Sequence, residues 1–337
     1  MKAWVLEKQA KIEGRPLKLM EVETPYPKDN EIRVKVLVCG VCRTDIHIAE
    51  GDLPLRKPNL ILGHEIVGIV DKTGKDVKKF KIGDKIGISW LNSTCGKCKY
   101  CLSDRENYCP DFKCTGWDVD GGYAEYAMIK EDSALGLNDI KLEPEDIAPL
   151  MCPGIAGYCA FKLTDIEKGE KLGLYGFGPT AYYVLKVANH LSIDTYVSTR
   201  SQKNIEAAKE AGAVWAADAS KKDLPCKLDK SIVFPPVGNL VEPALTQLGI
   251  GGILVLAPVS MSTIEIKNYS QNLWGRDIRT LFNVKKSWGE EFLNIANEMQ
   301  IKAGKEIFPL EGLQDALILV RKGKIKEPNA VIKVGDW

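Results

Sequence analysis

The run Lys171-Leu172-Gly173-Leu174-Tyr175-Gly176-Phe177-Gly178-Pro179-Thr180-Ala181 decides the fold. A short apolar strand leads into a glycine loop, and the helical stretch Thr180 to Leu191 follows. A G-x-G-x-x-G/A pattern carries meaning only there, between strand and helix. Gly176 allows the tight turn, Gly178 lets backbone approach a pyrophosphate, and Ala181 permits close packing of helix on strand. The helix N-terminus then receives the phosphates, while Pro179 removes one donor and favours helix initiation. Outward from this loop, strands are predicted at Lys171 to Tyr175, Thr195 to Thr199, Ala213 to Ala217, Lys230 to Phe234, Gly252 to Ala257 and Ile278 to Val284. Helical stretches fall between them, clearest at Thr180 to Leu191 and Lys203 to Ala211. Such alternation is the signature of an α/β, doubly wound parallel sheet.

Upstream the pattern changes. From residue 1 to about 150, short strands (Glu31 to Val38, Ile61 to Val70, Ile82 to Trp90, Gly122 to Ile129) are broken by glycine, proline and charged turns, which reads as an irregular, mostly β domain. A helix near Leu313 to Arg321 and a strand at Ala330 to Val334 close the chain. Periodicity alone leaves open whether that tail extends the parallel sheet or returns to the first domain.

With 337 residues, 45% of them apolar and 27% charged, the chain has enough material for roughly two domains with full cores. Lysine and arginine number 46 against 45 acidic residues, so no bulk field draws nucleic acid or an anionic bilayer, and a small ligand is the better expectation. No apolar run approaches the roughly 18 residues of a membrane span, and the N-terminus lacks a signal peptide's apolar core. A cytoplasmic location is expected.

Ten cysteines are too many for packing alone and too few for a disulfide scaffold, which makes metal binding the leading explanation. Cys95, Cys98, Cys101 and Cys109 are spaced to wrap one ion in a closed tetrahedron of sulfurs. With no open position, such a zinc is structural; an iron–sulfur cluster is the rival, disfavoured by the seven-residue gap before Cys109. Elsewhere Cys42, His64 and Cys152 are weak signals singly, but together they supply the Cys2His set that leaves zinc's fourth position open. Cys39, Cys114, Cys159 and Cys226 have no partners at metal spacing and read as packing residues, and His190 reads as structural.

Gly40-Val41-Cys42-Arg43-Thr44-Asp45-Ile46-His47, Gly63-His64-Glu65, Lys81-Ile82-Gly83-Asp84, Trp90-Leu91-Asn92-Ser93-Thr94-Cys95 and Ala148-Pro149-Leu150-Met151-Cys152 together resemble the zinc-dependent, medium-chain alcohol dehydrogenases, essentially end to end. The resemblance implies a GroES-like, mostly-β catalytic domain at residues 1–151 and 290–337, with its zinc lobe at 95–109, and a Rossmann dinucleotide-binding domain at 152–289. It implies two zinc ions per chain, a homodimer or homotetramer, and reversible hydride transfer by way of a zinc-bound alkoxide. Cys42, His64 and Cys152 become the catalytic ligands; Glu65 approaches the metal from behind; Asp45 accepts the other ring N–H of His64; Thr44 and His47 form the proton relay. Arg43 joins the glycine loop at the pyrophosphate. Trp90, Leu91 and Trp117 line the alcohol pocket, with Leu53 and Tyr158 as softer candidates, and bulky walls favour small primary or aromatic alcohols and aldehydes.

One departure bears on the cofactor. The second strand of the nucleotide fold should end in a carboxylate that grips the ribose of NAD, yet Val197-Ser198-Thr199-Arg200-Ser201 stands there. Thr199 and Arg200 suit a 2′-phosphate, so NADP is favoured, with NAD the alternative. A polyol or amino-alcohol dehydrogenase is the neighbouring alternative, and a non-catalytic, zinc-binding NADPH-sensing module is the alternative from another class.

Overall fold

The structure is a computed structural model and describes residues 1–302 and 304–336. The chain first forms β1 (Lys2–Leu6), β2 (Leu17–Glu21), β3 (Glu31–Gly40), α1 (Arg43–Glu50), β4 (Leu60–Ile61), β5 (Glu65–Thr73), β6 (Lys85–Ile88), β7 (Leu91–Ser93), β8 (Lys113–Cys114), β9 (Tyr126–Lys130), β10 (Leu135–Gly136) and α2 (Pro144–Ile147). Next come α3 (Pro153–Lys162), β11 (Lys171–Tyr175), α4 (Pro179–His190), β12 (Asp194–Ser198), α5 (Gln202–Glu210), β13 (Trp215–Ala217), β14 (Leu228–Val233), α6 (Val241–Gln247), β15 (Leu248–Leu256), α7 (Tyr269–Asn272) and β16 (Asp277–Thr280). It ends with α8 (Lys286–Glu298), β17 (Lys305–Pro309), α9 (Leu313–Lys322) and β18 (Asn329–Lys333).

Two compact units result, one of Met1–Cys152 with the chain from Asn283 onward, the other of Pro153–Phe282. In the first, a sheet of order β10-β6-β5-β3-β18-β17, with β9 also on β3, stands beside a three-stranded sheet β2-β1-β4 and the pair β7-β8. Ile32, Val34 and Val36 of β3 are fully buried, alternating with the less buried Arg33 and Lys35, as a sheet with one face on a core requires. The tail question resolves here: β18 runs antiparallel to β3, with Ile332 opposite Cys39.

The second unit is a parallel sheet of order β13-β12-β11-β14-β15-β16. Leu172, Leu174, Ile232 and Val255 are fully buried, as expected of strands covered on both faces. Strand order reverses between β11 and β14, which makes the carboxyl end of β11 the switch point where ligands of such sheets sit.

Some boundaries differ from the sequence reading. The strand predicted over Ile61 to Val70 breaks into β4 and β5, because Gly63 takes φ +96° and a Cβ there would stand 2.9 Å from Cys39 Sγ. The strand predicted over Ile82 to Trp90 shrinks to β6, since Gly83 at φ +94° is still turning. Cys152 belongs to the first unit, not the second, following the turn Ala148–Met151 packed on β5 and β3. The return to the first unit comes at Asn283, not at 290: β16 stops at Thr280, and Asn283 is already bonded to Trp90 and Asn107.

Candidate functional site

Helix α1 organises the first cluster. Cys42 is its N-cap in extended backbone, and the Asp45 carboxylate three positions on accepts the Cys42 backbone N–H at 3.0 Å. The break between β4 and β5 turns His64 inward, where it is completely buried. His64 Nδ1 lies 3.1 Å from Asp45 Oδ1. Its other nitrogen, Nε2, is buried with no hydrogen-bond partner. The Cys42 and Cys152 sulfurs stand 3.8 Å apart, and these two sulfurs, a His64 nitrogen and a Glu65 carboxylate oxygen all lie within 4.8 Å of one another. A buried, unpaired imidazole nitrogen is costly unless something accepts its lone pair or its proton. Two thiolates and one imidazole suit zinc, so the residues fit the metal.

Charge crowding tells the same story. The Cys152 thiol draws Cys42 well below the usual thiol range, while that contact and burial drive Cys152 up. Burial pushes His64 down, but Asp45 and Cys42 outweigh it and raise the imidazole. Glu65 is driven up by burial and then by Cys42. Glu65 fits at all because position 40 is glycine, where a Cβ would stand 1.9 Å from Glu65 Oε2. A dication would favour ionised Cys152 and Glu65, which burial and the Cys42 charge oppose, and the neutral imidazole that a ligand must be.

Cys95, Cys98, Cys101 and Cys109 form the second cluster, again within 4.8 Å of one another. Cys98 and Cys101 sulfurs are 3.5 Å apart, and the backbone N–H groups of Cys95 and Cys98 donate to the sulfurs of Cys109 and Cys95. Backbone N–H groups of Lys97 and Cys98 lower Cys95 to about 6, whereas burial raises Cys109 to about 12. Among the described residues, Cys39, Cys114, Cys159 and Cys226 join no such group.

In the second unit the glycine loop sits where it was expected. Gly176 has φ +85° and would place a Cβ 2.7 Å from Pro235, whereas a Cβ on Gly178 would meet nothing within 4 Å. Open space above Gly178, at the start of the twelve-residue α4, is what a phosphate cradle needs. Ala181 is fully buried. Thr199 is buried and Arg200 exposed after β12; Asp218, after β13, is held low mainly by Ser220, with smaller contributions from Lys221 and then Arg200. Exposed His190 closes α4, and exposed Arg43 opens α1.

Residues 28–139 match the alcohol dehydrogenase GroES-like domain. A probable alcohol dehydrogenase, AdhA, of Mycobacterium tuberculosis is 39% identical over 331 residues, 96% of this chain and 95% of that protein. An alcohol dehydrogenase of Geobacillus stearothermophilus is 34% identical over 99% of this chain and 100% of its own. The solved cinnamyl alcohol dehydrogenase of Sorghum bicolor superposes with TM-score 0.86 at 25% identity, covering 98% of this chain and 97% of that one. The chain belongs to the zinc-dependent medium-chain alcohol dehydrogenase family.

For an NAD(P)-dependent alcohol dehydrogenase of this family, the surroundings of the first cluster are informative. The Trp90 ring meets His64 edge-on at 5.0 Å between centroids and stacks on Trp117 at 5.8 Å. Trp117 donates its indole N–H to Pro54 O and carries Arg56 over its face at 3.4 Å. Leu91 lies buried in β7 opposite Cys114, and Leu53 packs on the first unit's core. Tyr158 belongs to the second unit, stacked on Phe161. Thr44 Oγ1 is 3.6 Å from Cys42 Sγ, and half-exposed His47 bonds Asp52 at 2.7 Å. Sequence reasoning missed Asp52 and Tyr123, whose hydroxyl donates to Asp45 Oδ2 at 2.7 Å. Asp52 lies close in sequence to His47 and was within reach of inspection; Tyr123, 78 residues from Asp45, left no local signal. No described helix is long and apolar enough to cross a membrane.

Proposed function

We propose that Cys42, His64 and Cys152 hold the catalytic zinc, that Cys95, Cys98, Cys101 and Cys109 hold a structural one, and that the enzyme interconverts small primary or aromatic alcohols and their aldehydes. The observation that carries this reading is the convergence of two sulfurs and an unpaired, buried His64 Nε2. When bound there, zinc supplies the Lewis acidity that makes a hydroxyl easier to deprotonate and a carbonyl easier to reduce. Asp45 fixes the His64 ring through Nδ1 and so aims Nε2 at the metal. Thr44 is the first acceptor of the alcohol proton, and His47, reaching solvent and paired with Asp52, passes it to water. Trp90 and Trp117 supply a flat apolar wall that keeps water from the reacting carbon and suits aromatic substrates.

Gly176, Gly178 and Ala181 seat the pyrophosphate, with Arg43 assisting, and Thr199 with Arg200 favours NADP over NAD because no carboxylate ends β12 to repel a 2′-phosphate. Ten free cysteines suit a reducing cytoplasm. Exposed Ile250, Tyr269 and Trp274 in the second unit support a homodimer or homotetramer.

The test is metal content with turnover. Dialysed enzyme should hold two zinc per chain, and Cys42→Ala should hold one, stay folded and lose at least a hundredfold in turnover. One zinc in the wild type, confined to the cysteine lobe, supports the non-catalytic module instead; equal turnover of Cys42→Ala and wild type refutes the ligand assignment.

A further inference from the structure

The cysteine lobe and the substrate wall are joined by one side chain. Trp90 donates its indole N–H to Asn283 Oδ1 at 3.1 Å, and the same amide donates from Nδ2 to the backbone carbonyl of Asn107 at 3.2 Å. Asn107 is buried and lies inside the lobe, between Cys101 and Cys109. Asn283 takes φ 55°, a left-handed conformation that asparagine tolerates better than most residues and that directs its amide to both partners. The neighbouring chain is tied to the same lobe segment: Lys286 N–H donates to Glu106 Oε1 at 2.7 Å, and Lys285 Nζ pairs with Asp104 at 2.7 Å. Because loops of this kind are ordered by their metal, gathering the four sulfurs helps to hold the Asn107 carbonyl in place.

We infer that Asn283 is a positioning residue through which the four-cysteine lobe holds Trp90 in place and so sets which alcohols the enzyme prefers. The inference rests on the proposed reading of Trp90 as pocket wall, and it gives the lobe a role beyond holding its own loop together. Losing the lobe's order frees the Asn107 carbonyl, Asn283 loses its footing, and the indole against His64 gains freedom to tilt.

Fluorotryptophan-labelled, zinc-replete enzyme tests this with a readout independent of turnover. The Trp90 fluorine resonance is identified by its loss in Trp90→Phe. Asn283→Gly keeps the left-handed backbone and removes the amide; it should move that resonance and change the ratio of kcat/KM for benzyl alcohol to that for ethanol by roughly three- to tenfold, the worth of one hydrogen bond. Cys98→Ser should produce both changes in the native background and add nothing in Asn283→Gly. Should Cys98→Ser fail to fold, Asn283→Asp replaces it, since it keeps an oxygen for the indole but has no donor for the Asn107 carbonyl, and wild-type behaviour there overturns the tie to the lobe. Equal effects of Cys98→Ser in both backgrounds overturn the inference, as does an unmoved resonance in Asn283→Gly. If Trp90→Phe leaves the alcohol ratio unchanged, the pocket reading itself has failed, and the claim on selectivity falls with it.

Discussion

Asp45 receives four hydrogen bonds on two oxygens. Oδ1 serves His64 Nδ1 and the Gly63 N–H, while Oδ2 serves the Cys42 N–H and the Tyr123 hydroxyl. One carboxylate thus fixes both the helix cap that presents Cys42 and the ring that presents Nε2. Tyr123 is fully buried, so its ring is held by the core and its hydroxyl can be removed without moving it. Tyr123→Phe should therefore leave the fold intact and weaken the catalytic zinc by about tenfold, at the lower end of what an outer-shell partner of a metal-ligating histidine contributes. Competition with a chelator of known affinity measures this, and unchanged zinc retention would place Tyr123 in the core alone. Burial also explains why Asp45, though predicted, showed only half its role in sequence: its contact with His64 followed from the resemblance, whereas Gly63 and Tyr123 arrive from connecting segments elsewhere in the chain.

Helix α1 is pinned at both ends, and its far end offers a second test. Glu50, with its side chain only 2% exposed, accepts from the Ile12 N–H at 3.2 Å and from Arg321 Nε of α9 at 3.1 Å. Burial pushes its carboxyl up, but Ile12, Arg321 and Lys11 together outweigh that and hold it below its ordinary value. A depressed carboxyl stabilises the fold above the unfolded value near 4.3 and loses that contribution as pH falls through the folded value. Glu50→Gln should cost about 1–3 kcal/mol near neutrality, and the gap to wild type in denaturant titrations should shrink below about pH 4. A gap that persists in acid would mean that packing, not charge, carries the contact. Elements of this kind differ in how legible they are. β11 and β12 were read to within one residue because each carries a short run of buried, strand-favouring side chains, Leu172 and Leu174 in the one and Thr195, Tyr196 and Val197 in the other, and the glycine loop lay between them. The break after Ile61 was invisible, since it depends on how Cys39 and Tyr123 crowd Gly63 from distant parts of the chain. The early return at Asn283 was missed for a similar reason: its amide is explained only by Trp90 and Asn107.

At the scale of the whole molecule, near-balance of 46 basic and 45 acidic residues means that no general field attracts a phosphorylated cofactor, so any preference for NADP must come from local groups. The charges beyond β12 and β13 are mixed in sign, with Lys221 also paired to Asp218 at 3.9 Å. Arg200 is exposed after β12, and Asp218 after β13 is a carboxylate kept low chiefly by the Ser220 hydroxyl and backbone, with smaller contributions from Lys221 and then Arg200. A 2′-phosphate would gain charge-assisted hydrogen bonds from the guanidinium, while the ribose of NAD gains little from it. Arg200→Ala should therefore raise the Michaelis constant for NADP at least tenfold and that for NAD by less than twofold, with the NADP effect shrinking at high salt because the site is exposed. Asp218→Asn should act in the opposite sense, improving NADP by relieving repulsion and leaving NAD nearly unmoved. Initial rates with both cofactors at two ionic strengths separate these outcomes, and if Arg200→Ala shifts both Michaelis constants equally, Arg200 does not read the phosphate and the case for NADP falls.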